Sequence, residues 1–214
     1  MNVIWDVLEL YIVRREYFAV LLGEHIYMSS IAIGNAIVLG VLVGTLASAK
    51  PRLGRILMVI ANIGYTIPVI AFFGIMVSIS GIGLRTTLIA LTMYGLLPVI
   101  RNTYSGIMQT DQDILEAAAV GGAGKWTILL RISLPIAVPF IIAGIRTMVV
   151  MTISMAAVAA FIGAGGLGSA IWRGITTYNS IMTLAGSILV AVLAIGADWC
   201  LGKLETVTSR IIFG

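Results

Sequence analysis

Charged positions divide the chain into long apolar runs. Stretches free of Asp, Glu, Lys and Arg cover residues 25–49, 56–84, 147–172 and 174–197, with shorter ones at 17–23, 86–100 and 132–145. A helix needs about 20 apolar residues to cross a hydrocarbon core of ~30 Å, and the four longer runs meet that on length alone. The 86–100 run reaches it if Arg101 stands near the helix end, where its long stem carries the guanidinium out to the headgroups. The pattern therefore predicts five spans, near 26–49, 57–80, 86–106, 135–161 and 180–201. Ahead of them, residues 3–22 read as an amphipathic helix along the interface, with Trp5, Leu8 and Ile12 on one face and Arg15 and Glu16 elsewhere. Asp6 and Glu9 stand where a secretory signal would carry basic residues, so this segment is expected to stay in the mature protein.

Composition agrees with lipid as the solvent. Of 214 residues, 60% are hydrophobic and only 10% charged, with a mean hydropathy of +1.10; a soluble domain carries roughly 25% charged residues. The fold class expected is an all-α membrane protein, a single transmembrane domain over residues 1–214, since no linker, repeat or low-complexity tract divides it. With the first span running inward, Lys50, Arg52, Arg55, Arg101, Lys125, Arg131, Lys203 and Arg210 fall on the cytoplasmic side. Arg14, Arg15, Arg85 and Arg173 fall outside. Eight against four places the N-terminus outside and the C-terminus inside by the positive-inside rule. Basic loops facing anionic lipid account for the net charge of +4, and no nucleic-acid partner is needed. The single cysteine, Cys200, makes neither an intramolecular disulfide nor a metal site.

One long polar connection, about 107–132, separates the third and fourth spans. It reads as two short helices around a glycine hinge. Asp113 with Glu116 three residues on suggests a capping box. Gly121 and Gly122 supply the left-handed conformation that ends the helix, and a second helix from about 124 to 132 stops before Pro135.

Glu116-Ala117-Ala118, three residues, Gly122, nine residues and Ile132-x-Leu134-Pro135 resemble the EAA loop of binding-protein-dependent ABC importer permeases. The resemblance implies the type I ABC importer permease fold, with Glu116, Ala117, Ala118 and Gly122 as the contact with a cytoplasmic ATPase subunit. It also implies the partners: two ATPase subunits carrying ATP and Mg, a second permease subunit, identical or homologous, an extracytoplasmic solute-binding protein, and a bacterial cytoplasmic membrane around them. Residues 134–147, 159–168 and 62–68 are similar to permeases for osmoprotectants such as glycine betaine, carnitine and choline, with a departure at 153–157. Methionine importer permeases share the plan and the loop, and stand as the alternative. From another class, a small secondary carrier would be expected to show internal repeats and midplane carboxylates. No HExxH, G-x-S-x-G or Walker A sequence occurs, so an enzyme is not expected and no catalytic residue, metal or cofactor is assigned to this chain.

Other residues invite narrower readings. Residues 163–168 fit G-x-G-x-x-G, but a span precedes them rather than a strand, and a tight turn at the outer end of that span explains the four glycines better than a dinucleotide site. His25, the only histidine, reads as an interfacial residue. Trp5, Trp126, Trp172 and Trp199 fall near interfaces as a membrane belt. Arg146 lies well inside the fourth span, where an unpaired arginine costs ~2.5–3.5 kcal/mol on insertion scales. The expectation is a structural pair with Asp198, or Arg101 with Asp198, the alternative being a pathway contact; Asn62 joins this set of intramembrane polar residues. Pro68, Pro98 and Pro139 are expected to kink spans two, three and four.

Overall fold

The computed structural model describes residues 3–213, and the described residues form helices and turns, with no strand among them. The helices are α1 Val3–Val13, α2 Arg15–Ser48, α3 Pro51–Thr66, α4 Val69–Ser80, α5 Leu84–Met108, α6 Gln112–Val120, α7 Lys125–Ile128, α8 Leu134–Ile136, α9 Val138–Val158, α10 Gly168–Thr176 and α11 Ser180–Phe213. A π-helical turn, Leu129–Ser133, joins α7 to α8, and a 3-10 turn, Ala159–Ile162, follows α9.

Three helical stretches are long and apolar enough to cross a membrane: Arg15–Ser48, Val138–Ile162 and Ser180–Ile212; the broken pair α3 and α4 makes a fourth if it is one span. Helix α5 is 25 residues long and less apolar, because it carries Arg85, Arg101 and Asn102.

The expected helix over 3–22 is interrupted at Arg14, and its second half is the start of α2, so the first long helix begins at residue 15 instead of 26. Glu16 and Glu24 do not stop it, since two charges cost a helix little where water can reach them; both are exposed. The second expected span is broken at Ile67 and Pro68. A residue before proline is driven out of the α region, and the carbonyl of Ile67 that the break frees accepts a hydrogen bond from the Tyr94 hydroxyl. Helix α11 runs on past the expected end at 201, and its 34 residues measure about 51 Å at 1.5 Å each.

The chain gathers into two compact units. One consists of the segments through Asn35, Ile67–Gly95 and Val149–Ala197. Its core has two clusters: Val7, Phe18, Leu21, Leu167, Ala170, Met182 and Ala185, and Met28, Ala32, Phe73, Ala90, Leu91, Ala156 and Ala159. Helix α1 is tied in by Val7 and by the Tyr11 hydroxyl, which donates to the carbonyl of Ala185 at 2.7 Å. Burial holds that phenol above its ordinary pKa, so it stays a donor. The opposite face keeps Trp5, Leu8 and Ile12 exposed together, as an interfacial helix requires.

The other unit consists of Ala36–Thr66, Leu96–Met148 and the segment from Asp198. Its helices approach through glycine. A Cβ on Gly40 or Gly44 of α2 would lie 2.7 Å from Val99 or Thr103 of α5, and one on Gly144 of α9 would lie 2.6 Å from Asn102. A Gly-x-x-x-Gly pair brings backbones into the close dispersion contact that drives association in lipid, where burial in apolar surroundings is no gain. Ile107, Leu129, Ala137 and Ile141 fill the remaining core.

Candidate functional site

Helix α6 forms because Asp111 caps it. Its side chain accepts the backbone N–H of Asp113 at 2.9 Å, and Asp113 itself lies in the first turn, where its charge favours the positive helix end. The capping box expected at Asp113 and Glu116 is therefore absent: with the cap two residues earlier, Ile114 occupies the position that a reciprocal Glu would need.

The far end of α6 closes in a Schellman motif. The N–H of Gly122 bonds the Ala119 carbonyl and that of Ala123 bonds the Ala118 carbonyl, both at 3.0 Å. Gly122 alone takes the left-handed conformation, with φ of +83°; Gly121 has φ of −70° and is ordinary helical backbone. Of the expected contact residues, Glu116, Ala117 and Gly122 are exposed and Ala118 is half-buried. Ile114 and Val120, which sequence reasoning passed over, are exposed on the same helix, Val120 at 90%. The signal was their spacing, three residues to either side of Ala117, which places all three on one face. Helix α6 thus exposes an apolar stripe with a carboxylate beside it.

Behind α6 lies a cavity of about 320 Å³ lined by Ser48, Lys50, Ile107, Leu115, Trp126 and Leu129, among others. The segment after it does not stop before Pro135. The backbone stays helical from Lys125 through Ile136 by widening to a π turn, in which the Leu134 N–H donates to the Leu129 carbonyl. One extra residue in the turn relieves the clash of the Pro135 ring with the carbonyl four residues back. The loop and α9 thus share one helical run, with a single turn at Ala137.

In α9, Arg146 reaches α11. Its Nε donates to Asp198 Oδ1 at 2.6 Å, one terminal nitrogen to Asp198 Oδ2 at 2.8 Å and the other to Glu205 Oε2 at 3.0 Å. The pair is Arg146 with Asp198, not Arg101 with Asp198; Arg101 and Asn62 are exposed. Glu205 was missed, although it stands seven residues from Asp198 and so on the same helix face. Of the three prolines expected to kink spans, Pro98 lies in a helix interior, and the Asn102 amide donates to its carbonyl at 2.9 Å. Pro68 stands at the break before α4, and Pro139 in the first turn of α9, where a missing N–H costs nothing.

In the first unit, the glycine turn at 163–168 forms as expected, with Gly163, Gly165 and Gly166 at positive φ. Its Gly166 N–H donates to Glu24 Oε2 at 2.8 Å. His25 is fully buried, its Nε2 3.0 Å from the Ile153 carbonyl, so it faces protein and not headgroups or water. The four tryptophans are all exposed.

The model of the family described as binding-protein-dependent transport system inner membrane component matches residues 36–207. The choline transport system permease protein OpuBD of Bacillus subtilis is 36% identical over 99% of this chain and 94% of its own length. The carnitine transport permease protein OpuCD of Listeria monocytogenes is 37% identical over 96% and 92%, and the osmoprotectant import permease protein OsmW of Salmonella typhimurium 37% identical over 89% and 91%. Among solved structures, a chain of the MetNI methionine ABC transporter superposes with a TM-score of 0.78 at 22% identity, covering 86% of this chain and 93% of that one.

Proposed function

This chain belongs to the family of binding-protein-dependent transport system inner membrane components, and on that premise we propose that it is the permease subunit of an ABC importer for an osmoprotectant of the quaternary-amine class: glycine betaine, carnitine or choline. Supporting this is the near full-length similarity to choline, carnitine and osmoprotectant permeases. The methionine alternative has only a likeness of fold behind it. The observation that carries the mechanism is the exposed helix α6, which presents Glu116, Ala117 and Gly122 in the spacing of the EAA loop.

Helix α6 faces the cytoplasm and docks on an ATPase subunit. Two such permeases, identical or homologous, assemble with two ATPases, which hold the ATP and Mg; this chain supplies no catalytic residue. All five sequence-derived spans cross the inner membrane, α5 among them, with the N-terminus outside and the C-terminus inside, as the distribution of basic residues favours. When the ATPases close on ATP, they draw the two α6 helices together. Each α6 passes the movement into the helical run from Lys125 through α9, and the path opens outward to the solute released by a docked binding protein.

The test is purification of the tagged chain from native membranes in mild detergent, followed by reconstitution with its ATPase and binding protein. A Walker-type ATPase in the complex, and ATP-dependent uptake of choline, carnitine or glycine betaine that excess methionine does not compete, is the expected result. Recovery of the chain alone, from an extraction that preserves other complexes, overturns the importer reading; competition by methionine overturns the solute class.

A further inference from the structure

We propose that Arg146, Asp198 and Glu205 are the contact through which movement of the ATPase-coupling segment reaches α11, which makes them positioning residues for transport. The proposal rests on the importer reading above and adds a mechanical path to it.

Neutralising an intramembrane arginine takes one acid. Here two carboxylates serve one partly exposed guanidinium, one more than its own neutralisation needs, and their placement gives the second a use. Asp198 and Glu205 are seven residues apart on α11, about 10 Å along its axis, and Arg146 spans them. Sliding α9 along α11 in either direction stretches one of the two contacts, so the guanidinium is braced both ways. The two bonds to Asp198 form a fork, which fixes orientation as well as distance. Between the acids lies Gly202, where a Cβ would sit 3.1 Å from the guanidinium carbon and from one of its nitrogens. Helix α11 therefore presents a carboxylate, a position without side chain and a second carboxylate on one face, a seat fitted to a flat cation.

Helices α2, α5 and α9 of this unit meet through close glycine contacts. The clamp on α11 is directional, and it stands on the same helical run as the coupling loop, nine residues past the turn at Ala137. Displacement passed from α6 into that run reaches α11 at Arg146.

The experiment reads solute taken up per ATP hydrolysed by the full complex in lipid vesicles, a ratio that a merely structural role leaves unmoved. Glu205→Ala keeps the fork on Asp198 and loses the second brace, with Glu205→Gln removing only its charge; Arg146→Lys keeps the charge and loses the fork. Glu205→Ala and Arg146→Lys are both expected to retain the ATPase on purification and to lower the ratio about fivefold or more, the scale of a typical coupling between sites. Exchanging the charges, Arg146→Asp with Asp198→Arg, is expected to recover part of the loss. An unchanged ratio in Glu205→Ala and Arg146→Lys alike overturns the proposal. If Arg146→Lys does not accumulate in the membrane, Glu205→Ala decides alone, and a wild-type ratio there overturns it. A wild-type chain that brings no ATPase with it overturns the importer reading instead, whereas a transporting wild type matched by its variants removes the relay only.

Discussion

At Gly122 the backbone φ of +83° lies in a region that costs an L-residue roughly 1–2 kcal/mol, and a β-branched side chain more. No neighbouring atom stands within 4 Å of a Cβ there, so the penalty is conformational and not steric. Gly122→Val should therefore leave the fold in place and disturb the turn after α6. The expected outcome is loss of the ATPase from the purified complex with the chain still present in the membrane, checked by quantifying both proteins in the same eluate. Gly168 is the opposite case. Its φ is ordinary, but a Cβ would lie 1.9 Å from the Ala157 carbonyl oxygen, and overpacking against backbone costs ~1–3 kcal/mol. Gly168→Ala is expected to lower the melting temperature of the chain in detergent by several degrees, which a thermal-shift measurement reads.

At the scale of elements, α6 is nine residues long, too short to hold itself together in water. Its ends do the work: Asp111 satisfies an N–H at the start, and the Schellman bonds satisfy two carbonyls at the finish. Removing an N-cap costs ~1 kcal/mol, which corresponds to about fivefold in the opening equilibrium. Asp111→Ala is thus expected to quicken hydrogen exchange of the first-turn amides of α6 about fivefold, while Asp113→Ala leaves them near wild type. The reverse ranking would restore the capping box at Asp113. The same logic separates the prolines. Pro135 is absorbed into a continuous helix by the π turn before it, whereas Pro68 has no such turn and ends one helix before the next begins.

For the whole molecule, both units combine apolar clusters with close glycine approaches, and the second adds the charged clamp of Arg146. The distribution of basic residues sets the expected orientation of the whole, and the single cysteine makes it measurable. In a Cys200→Ser background, Val13→Cys, at an exposed position before α2, should react with a membrane-impermeant thiol reagent on intact cells. Val120→Cys, at the exposed end of α6, should react only after permeabilisation. The opposite pattern would invert the topology and put the coupling helix on the wrong side for an ATPase.

Much of this was legible in the residues alone. Charge-free runs marked the long helices, because a bilayer core tolerates little else. The spacing from Glu116 to Pro135 carried the resemblance to the EAA loop, and the short exposed helix within it announces its own ends with Asp and Gly. An intramembrane charge demands a partner, which marked Asp198 as the acid but left Arg146 and Arg101 both open as its cation; the structure chose Arg146. What one dimension could not carry was the choice among near-equivalent local options. Asp111 or Asp113 could each cap α6, and the folded chain uses the first. Pro135 could end a helix or widen it, and the π turn depends on the core that Leu129 and Ala137 enter. His25 and Glu24 are neighbours in sequence, yet one is wholly buried and the other holds the glycine turn, a division made only when Ile153 and Gly166 arrive from more than a hundred residues away. Glu205 belongs to the clamp for the same reason: periodicity puts it on the face of Asp198, but only the meeting of α9 with α11 gives that face an arginine.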